Sequence, residues 1–286
     1  MTQSPVSRLA QRLAARGRRL RIQRRSRPRL YAYLGPDLAL AETTDGLFLY
    51  VDPQDEQIAP HIICRGYWEA WIDIAIGRIL RPGDRVVEVG ANFGYYSAKM
   101  ARAVGPRGWV DAFEASPYLA ALVERSLQLN DFGSRSAVHA VAASDRSGEV
   151  AFSVSRRFGG SGFVADPDWP ERPGRETITA PAVRLDDVIE GPIDLLRMDA
   201  EGSEPLVLEG ARDLVRRSPN IRICMEWSTN MMARRCSVPD LVGQFRAQGF
   251  RFWLIATDGT FPELSDADLM ALPLNDILIS RERPVR

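Results

Sequence analysis

The stretch VVEVGANFGYYS, residues 86–97, says more about the fold of this chain than any other segment. Apolar residues around Glu88 lead to Gly90, and a second glycine, Gly94, follows four residues later. The pattern predicts a buried strand, a tight turn and then a helix. A glycine-rich turn at a helix N-terminus favours an anion or a polar nucleotide, because backbone N–H groups point outward and glycine permits close approach.

The spacing of the glycines narrows the choice of nucleotide. The dinucleotide fingerprint G-x-G-x-x-G, counted from Gly90, would need glycines where Asn92 and Tyr95 stand. The G-K-[ST] ending of a P-loop is also missing. Methyltransferases that use S-adenosylmethionine (SAM) have a G-x-G-x-G turn preceded by an acid; here the acid is Glu88, and Asn92 replaces the central glycine. The turn favours SAM, with a purely structural turn as the alternative.

Glu114 supports a nucleoside at this turn. It ends the next predicted strand, WVDAFEAS, 24 residues after Gly90. A carboxylate there can accept hydrogen bonds from a ribose diol, in NAD and SAM equally. Ala142 and Ala143, at the end of the third predicted strand, are expected beside the adenine. The predicted cofactor-binding residues are Glu88, Gly90, Ala91, Asn92, Gly94, Glu114, Ala115, Ala142 and Ala143.

The alternation of strands and helices predicts the fold class. From residue 84 the patterns RVVEVG, GYYSAKMARAV, WVDAFEAS, SPYLAALVERSLQLN and AVHAVAAS alternate, which argues for an α/β fold: a parallel sheet with helices on both faces. Residues 145–190 interrupt the alternation with a predicted hairpin and loop. We expect a basic arm at 1–30, a lead-in strand and helix at 31–83, and the main domain at 84–286.

A second group of polar residues follows the predicted strand LLRMD. Asp199 and Glu201 stand two positions apart, so strand geometry would place both carboxylates on one side. Glu226 ends a later strand, IRICMEW. Because ligands of open α/β sheets bind beyond the carboxyl ends of the strands, we expect the three carboxylates at one rim. The alternative is that some cap a helix or pair with arginines such as Arg197.

Charge and composition limit the classes of partner that this protein can have. The 286 residues have a formal net charge of zero, but ten arginines and no acid lie within residues 1–30, leaving 27 basic against 37 acidic residues in the remainder. The acidic body argues against a nucleic-acid partner. The basic arm could contact an anionic membrane or a partner, or be a solvated extension. Three scattered cysteines and the lack of a long apolar segment or secretory signal favour a soluble cytoplasmic protein.

Four motifs together resemble one family. VVEVGANFGYYS, AFEASP, VRLDDVI and LLRMDAEGSEPLVLEGA are similar to the motifs of the FkbM-type SAM-dependent methyltransferases, over about residues 84–227. The most specific element is D-x-E-G-x-E followed by L-E-G-A, at residues 199–204 and 208–211. The asparagine of G-A-N is typical of this family, whereas Glu88 stands where aspartate is more usual.

The resemblance implies a fold and an activity. The fold is the class I methyltransferase fold, a seven-stranded, mostly parallel sheet with an antiparallel last strand. The activity is methyl transfer from SAM, often to a hydroxyl of a sugar or a polyketide. The expected acceptor is a sugar in a glycan, a lipid-linked sugar or a secondary metabolite.

Methyl transfer to a hydroxyl needs a base or a metal, because a free hydroxyl is a poor nucleophile at neutral pH. We predict Asp199 as the base, with Glu201 as its partner or as a substrate ligand, or a divalent metal held by Asp199, Glu201 and Glu226. Candidate substrate contacts are Tyr67 and Glu69 before the core, Ser161 in the insert, and Glu226.

Other functions fit parts of the sequence. A nucleic-acid or N-methyltransferase would share the SAM turn, but the N/D-P-P-Y/F stretch frequent in amino-methylating enzymes is replaced by MDAEG at 198–202. A non-catalytic interaction protein with a SAM-binding fold would not need the predicted site carboxylates. Those of Glu88, Glu114, Asp199 and Glu201 are all present. A nicotinamide oxidoreductase conflicts with the glycine spacing.

Overall fold

The computed structural model describes residues 28–155, 157–165 and 174–284. Its strands are β1 (Tyr31–Gly35), β2 (Leu38–Glu42), β3 (Phe48–Val51), β4 (Arg85–Val89), β5 (Trp109–Phe113), β6 (Ser136–His139), β7 (Ala142–Ala143), β8 (Gly148–Val154), β9 (Phe163–Val164), β10 (Glu176–Val183), β11 (Leu195–Met198), β12 (Arg222–Trp227), β13 (Arg251–Leu254), β14 (Glu263–Leu264) and β15 (Asn275–Ser280).

The helices alternate with these strands. They are α1 (Ala59–Arg65), α2 (Ala70–Ile79), α3 (Tyr95–Val104), α4 (Pro117–Leu129), α5 (Leu185–Val188), α6 (Glu204–Gly210), α7 (Arg212–Arg217), α8 (Thr229–Met232), α9 (Val238–Ala247) and α10 (Asp266–Ala271). Across the described residues, no helix combines the length and the apolar character needed to cross a membrane. The expected basic arm at 1–30 lies almost entirely outside the described residues.

The central sheet has the strand order β14-β13-β15-β12-β11-β4-β5-β6. The five strands from β12 to β6 are parallel, whereas β15 runs antiparallel to both β12 and β13. This order confirms the class I methyltransferase fold with an antiparallel last strand. The two-residue strand β14 extends the expected seven strands to eight. Strand order reverses between β4 and β11, so a ligand-binding crevice is expected at their carboxyl ends.

Two hydrophobic cores cover the two faces of the sheet. Alternate residues of β4 serve opposite cores: Val86 packs with α2, α3 and α4, whereas Val87 packs with α6, α7 and α9. Each face of a parallel sheet needs such a helical layer, because its strands are apolar on both sides. Helix α4 begins as its sequence predicts, since the Ser116 side chain accepts a hydrogen bond from the Leu119 N–H.

The segment before the central sheet contains more strands than predicted. The predicted strand is present as β3, but it pairs with β2, which pairs with β1, in an antiparallel three-stranded sheet. The predicted helix begins only at Ala70, because Glu69 adopts a left-handed backbone with φ of 36°. Trp68 therefore precedes that helix.

The insert forms a sheet of its own. The predicted hairpin is present as β8 and β10, and with β9 and β7 it forms a four-stranded sheet in the order β7-β10-β8-β9. The third predicted strand of the main sheet is split: β6 stays in that sheet, whereas β7 pairs in parallel with β10. Ala142 and Ala143 thus join the insert to the edge of the main sheet.

Candidate functional site

The turn after β4 depends on two residues with left-handed backbone. Gly90 has φ of 81°, and a Cβ there would lie 2.0 Å from the backbone oxygen of Asp199, so glycine is required. Asn92 has φ of 52°, a region in which asparagine is enriched. Its Oδ1 accepts a hydrogen bond from the Phe93 N–H at 2.7 Å. Asparagine therefore fulfils the conformational role of the central glycine in this turn.

Glu114 lies directly after β5, facing the turn. Its Oε2 accepts from the Asn92 N–H at 2.8 Å and its Oε1 from the Ser116 N–H at 2.9 Å. Burial raises the pKa of Glu114 to about 7, although both backbone donors favour the ionised form. Each carboxylate oxygen has a second lone pair, so Glu114 retains capacity for two hydroxyl donors.

A cleft opens where the carboxyl ends of β4, β5 and β11 face the insert. Six of the predicted cofactor residues line it: Gly90, Asn92, Glu114, Ala115, Ala142 and Ala143. The insert closes the opposite side with residues that sequence reasoning did not assign: Phe152, Gly159, Gly160, Gly162 and Val164. Among the described residues, the lining of this cofactor cleft does not include Glu88, Ala91 or Gly94.

Glu88 lies beneath the turn, fully buried. It accepts a hydrogen bond from the Ser97 hydroxyl and pairs with the Arg197 guanidinium at 3.4 Å. Burial raises its pKa to about 7, and the charge of Arg197 opposes this shift. These contacts support the turn from below, and direct cofactor binding by Glu88 stays a prediction.

Arg197 connects the groups around the turn. From the middle of β11, it donates to the Gly90 carbonyl at 3.3 Å and to Oδ2 of Asp199 at 3.0 Å. Its guanidinium also lies over the ring of Tyr96, 4.3 Å from the ring centroid. The arginine thereby fixes both the turn and the side chain of Asp199.

Asp199 stands between two spaces. Its N–H donates to the Val89 carbonyl at 3.0 Å, and its side chain is 31% exposed. It lines the cofactor cleft and also a small neighbouring cavity whose walls include Trp68, Tyr95 and Tyr96. A carboxylate in this position can contact a molecule in either space.

Glu201 does not continue the strand. Strand β11 ends at Met198, and Glu201 has a left-handed backbone with φ of 52°. The strand geometry behind its expected alignment with Asp199 is therefore absent, and this part of the prediction is wrong. The following Glu204 is buried, and its Oε1 accepts from the Ala200 N–H at 2.7 Å, which stabilises the turn between β11 and α6.

Glu226 faces a second acid across the sheet. In β12 it is the register partner of Asp276 in β15. Burial, together with the charges of Asp199 and Glu201, raises the pKa of Glu226 to about 10. Glu226 is therefore protonated at neutral pH and can donate a hydrogen bond.

Glu69 and Asp276 complete this group of acids. Tyr96 donates its hydroxyl to Oε2 of Glu69 at 2.9 Å, and Trp71 donates its indole N–H to Oδ2 of Asp276 at 2.9 Å. Burial, then the charges of Asp276 and Asp199, raises the pKa of Glu69 to about 7. Burial also raises the pKa of Asp276. Both shifts favour the protonated forms of these carboxyls.

The glycine turn Gly159–Ser161 is fastened over the cofactor cleft by Asp55. One carboxylate oxygen of Asp55 accepts from the Gly159 N–H at 2.8 Å, and the other accepts from backbone N–H groups at the start of α1. The Ser161 hydroxyl is bonded inside the insert, to the Phe158 carbonyl and Arg175. Ser161 and the exposed Tyr67 are both absent from the described linings of the cofactor cleft and the small cavity. Their predicted substrate contacts stay predictions.

Among the described residues, no group of side chains matches the predicted metal site. Within the described ranges, no three His, Cys, Asp or Glu side chains are grouped so that they could hold a metal ion. Asp199 instead pairs with Arg197.

Sequence reasoning missed Asp276 and Asp55. Asp276 faces Glu226 only through the antiparallel register of β15, which no local pattern states. Asp55 was missed because it lies three residues before Ile58, the N-cap of α1, and so does not show the usual capping pattern.

Comparison with known proteins assigns the family. The profile described as Methyltransferase FkbM domain matches residues 88–252, more than half of the chain. This range contains the turn, Glu114, Asp199 and Glu226.

Curated relatives match only a short segment. Protein-L-isoaspartate O-methyltransferase 1 of Archaeoglobus fulgidus is 46% identical over 48 residues, which is 17% of this chain and 22% of that protein. Protein-L-isoaspartate O-methyltransferase of Ignicoccus hospitalis is 54% identical over 41 residues, 14% of this chain and 19% of that protein. The matched segments thus span about a fifth of the length of these relatives.

A solved structure of a methyltransferase FkbM from Methylobacillus flagellatus KT is similar at 16% identity, with a TM-score of 0.47, over 70% of this chain and 44% of that chain. The family profile itself runs from the end of β4 into β13, and the observed strand order is that of the class I fold. The chain belongs to the FkbM family of SAM-dependent methyltransferases.

Proposed function

We propose that this protein transfers a methyl group from SAM to a hydroxyl of a sugar, a glycan or a secondary metabolite, with Asp199 as the base. The position of Asp199 between the cofactor cleft and the small aromatic cavity carries this proposal. Bound SAM would supply a methyl group that its sulfonium charge already activates. The protein then has to align the acceptor and remove its proton.

The cofactor cleft fits SAM. Glu114 can accept the ribose hydroxyls, and the small side chains of Ala115, Ala142 and Ala143 leave room for a flat adenine. Gly90 brings the backbone of the turn close to the ligand, where any larger residue would meet the Asp199 carbonyl.

Asp199 is oriented for proton removal. Arg197 binds its Oδ2, so the other oxygen, Oδ1, is the one we assign to the acceptor hydroxyl. The backbone bond to Val89 holds the residue at the end of the strand. A fixed carboxylate lowers the cost of reaching a reactive geometry.

The acids beside Asp199 favour a polyhydroxylated acceptor. Glu226 is a donor at neutral pH, and Glu69 can both donate and accept, because burial raises both pKa values. Such mixed hydrogen-bonding capacity matches hydroxyls, each of which is a donor and an acceptor. Trp68 adds an aromatic wall for the apolar face of a sugar ring.

The proposal is tested with methyl-labelled SAM and fractionated cell extract. We expect label in a carbohydrate or metabolite fraction with the wild type. Asp199→Asn should lower this rate by about 10²-fold or more while SAM binding stays within a few-fold. The control is Asp213→Asn, an exposed carboxylate on α7, which should behave as wild type.

The same experiment separates the rival functions. Label in RNA or DNA would make the protein a nucleic-acid methyltransferase. SAM binding with no label in any fraction would support a non-catalytic interaction protein. Near-full activity of Asp199→Asn would remove Asp199 from the mechanism.

We also propose that the N-terminal part contacts an anionic membrane from the cytoplasmic side. Ten arginines lie within residues 1–30, and the edge strand β1 that follows exposes Tyr31, Tyr33 and Leu34. Basic side chains attract anionic headgroups, and exposed aromatic and apolar side chains insert at the interface.

Co-sedimentation with vesicles tests this contact. We expect binding to vesicles with phosphatidylglycerol and little binding to pure phosphatidylcholine. The double variant Tyr33→Ser/Leu34→Ser should bind several-fold more weakly, whereas Leu274→Ser, which removes another exposed leucine, should not. Equal binding to both vesicle types would contradict the proposal.

A further inference from the structure

A second cavity adjoins the cofactor cleft beside Glu114. Its volume is about 350 Å³, and it lies between the start of α4, the insert sheet and the segment after β3. A water molecule occupies roughly 30 Å³ of liquid, so there is room for a small organic molecule. The cavity shares Glu114, Phe152 and Gly159 with the cofactor cleft, but its described lining does not include Asp199. We call it the side cavity.

Among the described residues, the charged side chains that line the side cavity are all acidic. Three carboxylates line it, those of Asp52, Glu114 and Glu176, and its described lining contains no Lys, Arg or His. Asp52 is buried, and Tyr118 donates to its Oδ2 at 3.0 Å. Such an arrangement repels anions and attracts an ammonium group.

An unpaired hydroxyl gives a second, independent indication of a ligand. Ser155 lines the side cavity and is 8% exposed, and its hydroxyl has no hydrogen-bond partner among the described residues. Buried polar atoms are almost always bonded to protein or to an ordered molecule. The side cavity also has an apolar wall, which is formed by Phe93, Phe152 and Ile178.

We propose that the side cavity binds a small organic amine next to the bound cofactor. Its ammonium group lies among Asp52, Glu114 and Glu176 and donates to the Ser155 hydroxyl. Its apolar body covers Phe152 and Ile178. Because the described lining of the side cavity lacks Gly90, Asn92 and Asp199, the amine lies beside SAM and does not replace it, and the amine is not the methyl acceptor.

Three probes with one apolar body test the site: 2-phenylethylamine, 2-phenylethanol and phenylacetate. Each is titrated by saturation-transfer NMR into the full-length protein, saturated with S-adenosylhomocysteine. We expect the amine to bind best and phenylacetate about tenfold or more weakly, because only the carboxylate is repelled. Ile178→Trp, which fills the cavity, should lose the amine, and Thr179→Val, an exposed neighbour on β10, should keep it.

A second variant tests the charge of the side cavity without changing the packing of buried side chains. Glu176→Gln removes an exposed rim carboxylate and should reduce the preference for the amine over the alcohol several-fold. Equal binding of phenylacetate and the amine would overturn the proposal, as would an unchanged affinity in Ile178→Trp. The amine is also titrated into the protein without S-adenosylhomocysteine, and amine binding that is seen only there would overturn the proposal too, since the cavity would then be part of the cofactor cleft. Cofactor binding is measured in the same samples, so failure of the cofactor assignment would be seen separately.

Discussion

Glu114 joins the turn and the cofactor cleft through one carboxylate. It holds two backbone N–H groups and still offers two lone pairs to a ribose. We expect Glu114→Gln to weaken SAM binding roughly 10- to 100-fold, the effect of losing hydrogen bonds to a charged group. Calorimetry checks this against Glu124→Gln, an exposed glutamate on α4 that should bind SAM normally. An unchanged affinity in Glu114→Gln would remove this residue from the ribose site.

Glu226 gives a prediction for the pH dependence of stability. Its pKa is about 10 in the folded protein against 4.5 ordinarily, so the folded state keeps a proton that the unfolded chain releases. Stability from this group is complete below pH 4.5 and falls as pH rises, by at most about 1.4 kcal/mol per pH unit. Glu226→Gln should therefore lose less stability than the wild type between pH 5.5 and 8, as measured by urea unfolding without ligand.

A half-buried surface glutamate provides the comparison. Glu209→Gln on α6 should keep the wild-type pH dependence of the free energy of unfolding. If Glu226→Gln also followed the wild-type curve, the burial-driven shift of the Glu226 pKa would be wrong.

Single residues were predictable where the chemistry is local. Spacing alone predicts that Gly90 and Glu114 lie together, and both line the cleft, because a strand, a turn and the end of the next strand are close in sequence. The buried position of Glu88 could not, since it depends on Arg197, which is 109 residues away. Asp276 was missed for the same reason.

At the scale of elements, helix α6 packs against β7 at a point that requires glycine. A Cβ at Gly210 would lie 1.9 Å from the Ser144 carbonyl oxygen, which accounts for the glycine of the L-E-G-A segment. Gly210→Ala should therefore shift this helix and destabilise the protein by about 1–3 kcal/mol.

Gly243 is the matched control for this prediction. It lies in α9 and is exposed, and a Cβ added there would meet no atom within 4 Å. Gly243→Ala should stabilise the protein by about 0.5–1 kcal/mol, the usual effect in a helix. Chemical denaturation measures both variants, and equal effects would contradict the close packing at Gly210.

The helices and strands that could be predicted are those whose sequences show regular periodicity or a capping residue. The strand–turn–helix at 86–104 and the capped helix α4 carry clear periodicity and capping signals, and both are present. The strands β1 and β2 and the transfer of β7 to the insert sheet were not predictable. They are set by pairing with distant partners such as β10, and such pairing leaves little local pattern.

At the scale of the whole molecule, the sheet brings distant acids to one crevice. Strand order reverses between β4 and β11, so Glu114, Asp199 and Glu226 gather where a cofactor and an acceptor can meet. The parallel order followed from alternating strands and helices, whereas the antiparallel β15 was expected only from the family resemblance. The small cavity beside Asp199 was predictable only in part: Trp68 of the lead-in segment lines it, whereas Ser161 of the insert is absent from its described lining.

The proposed chemistry depends on SAM binding at the turn of residues 86–97. Isothermal titration calorimetry of the wild-type protein with SAM and with NAD, side by side, is the decisive experiment. We predict saturable binding of SAM at one molecule per chain and no heat from NAD beyond dilution. Binding of NAD without binding of SAM would contradict the assignment of this turn.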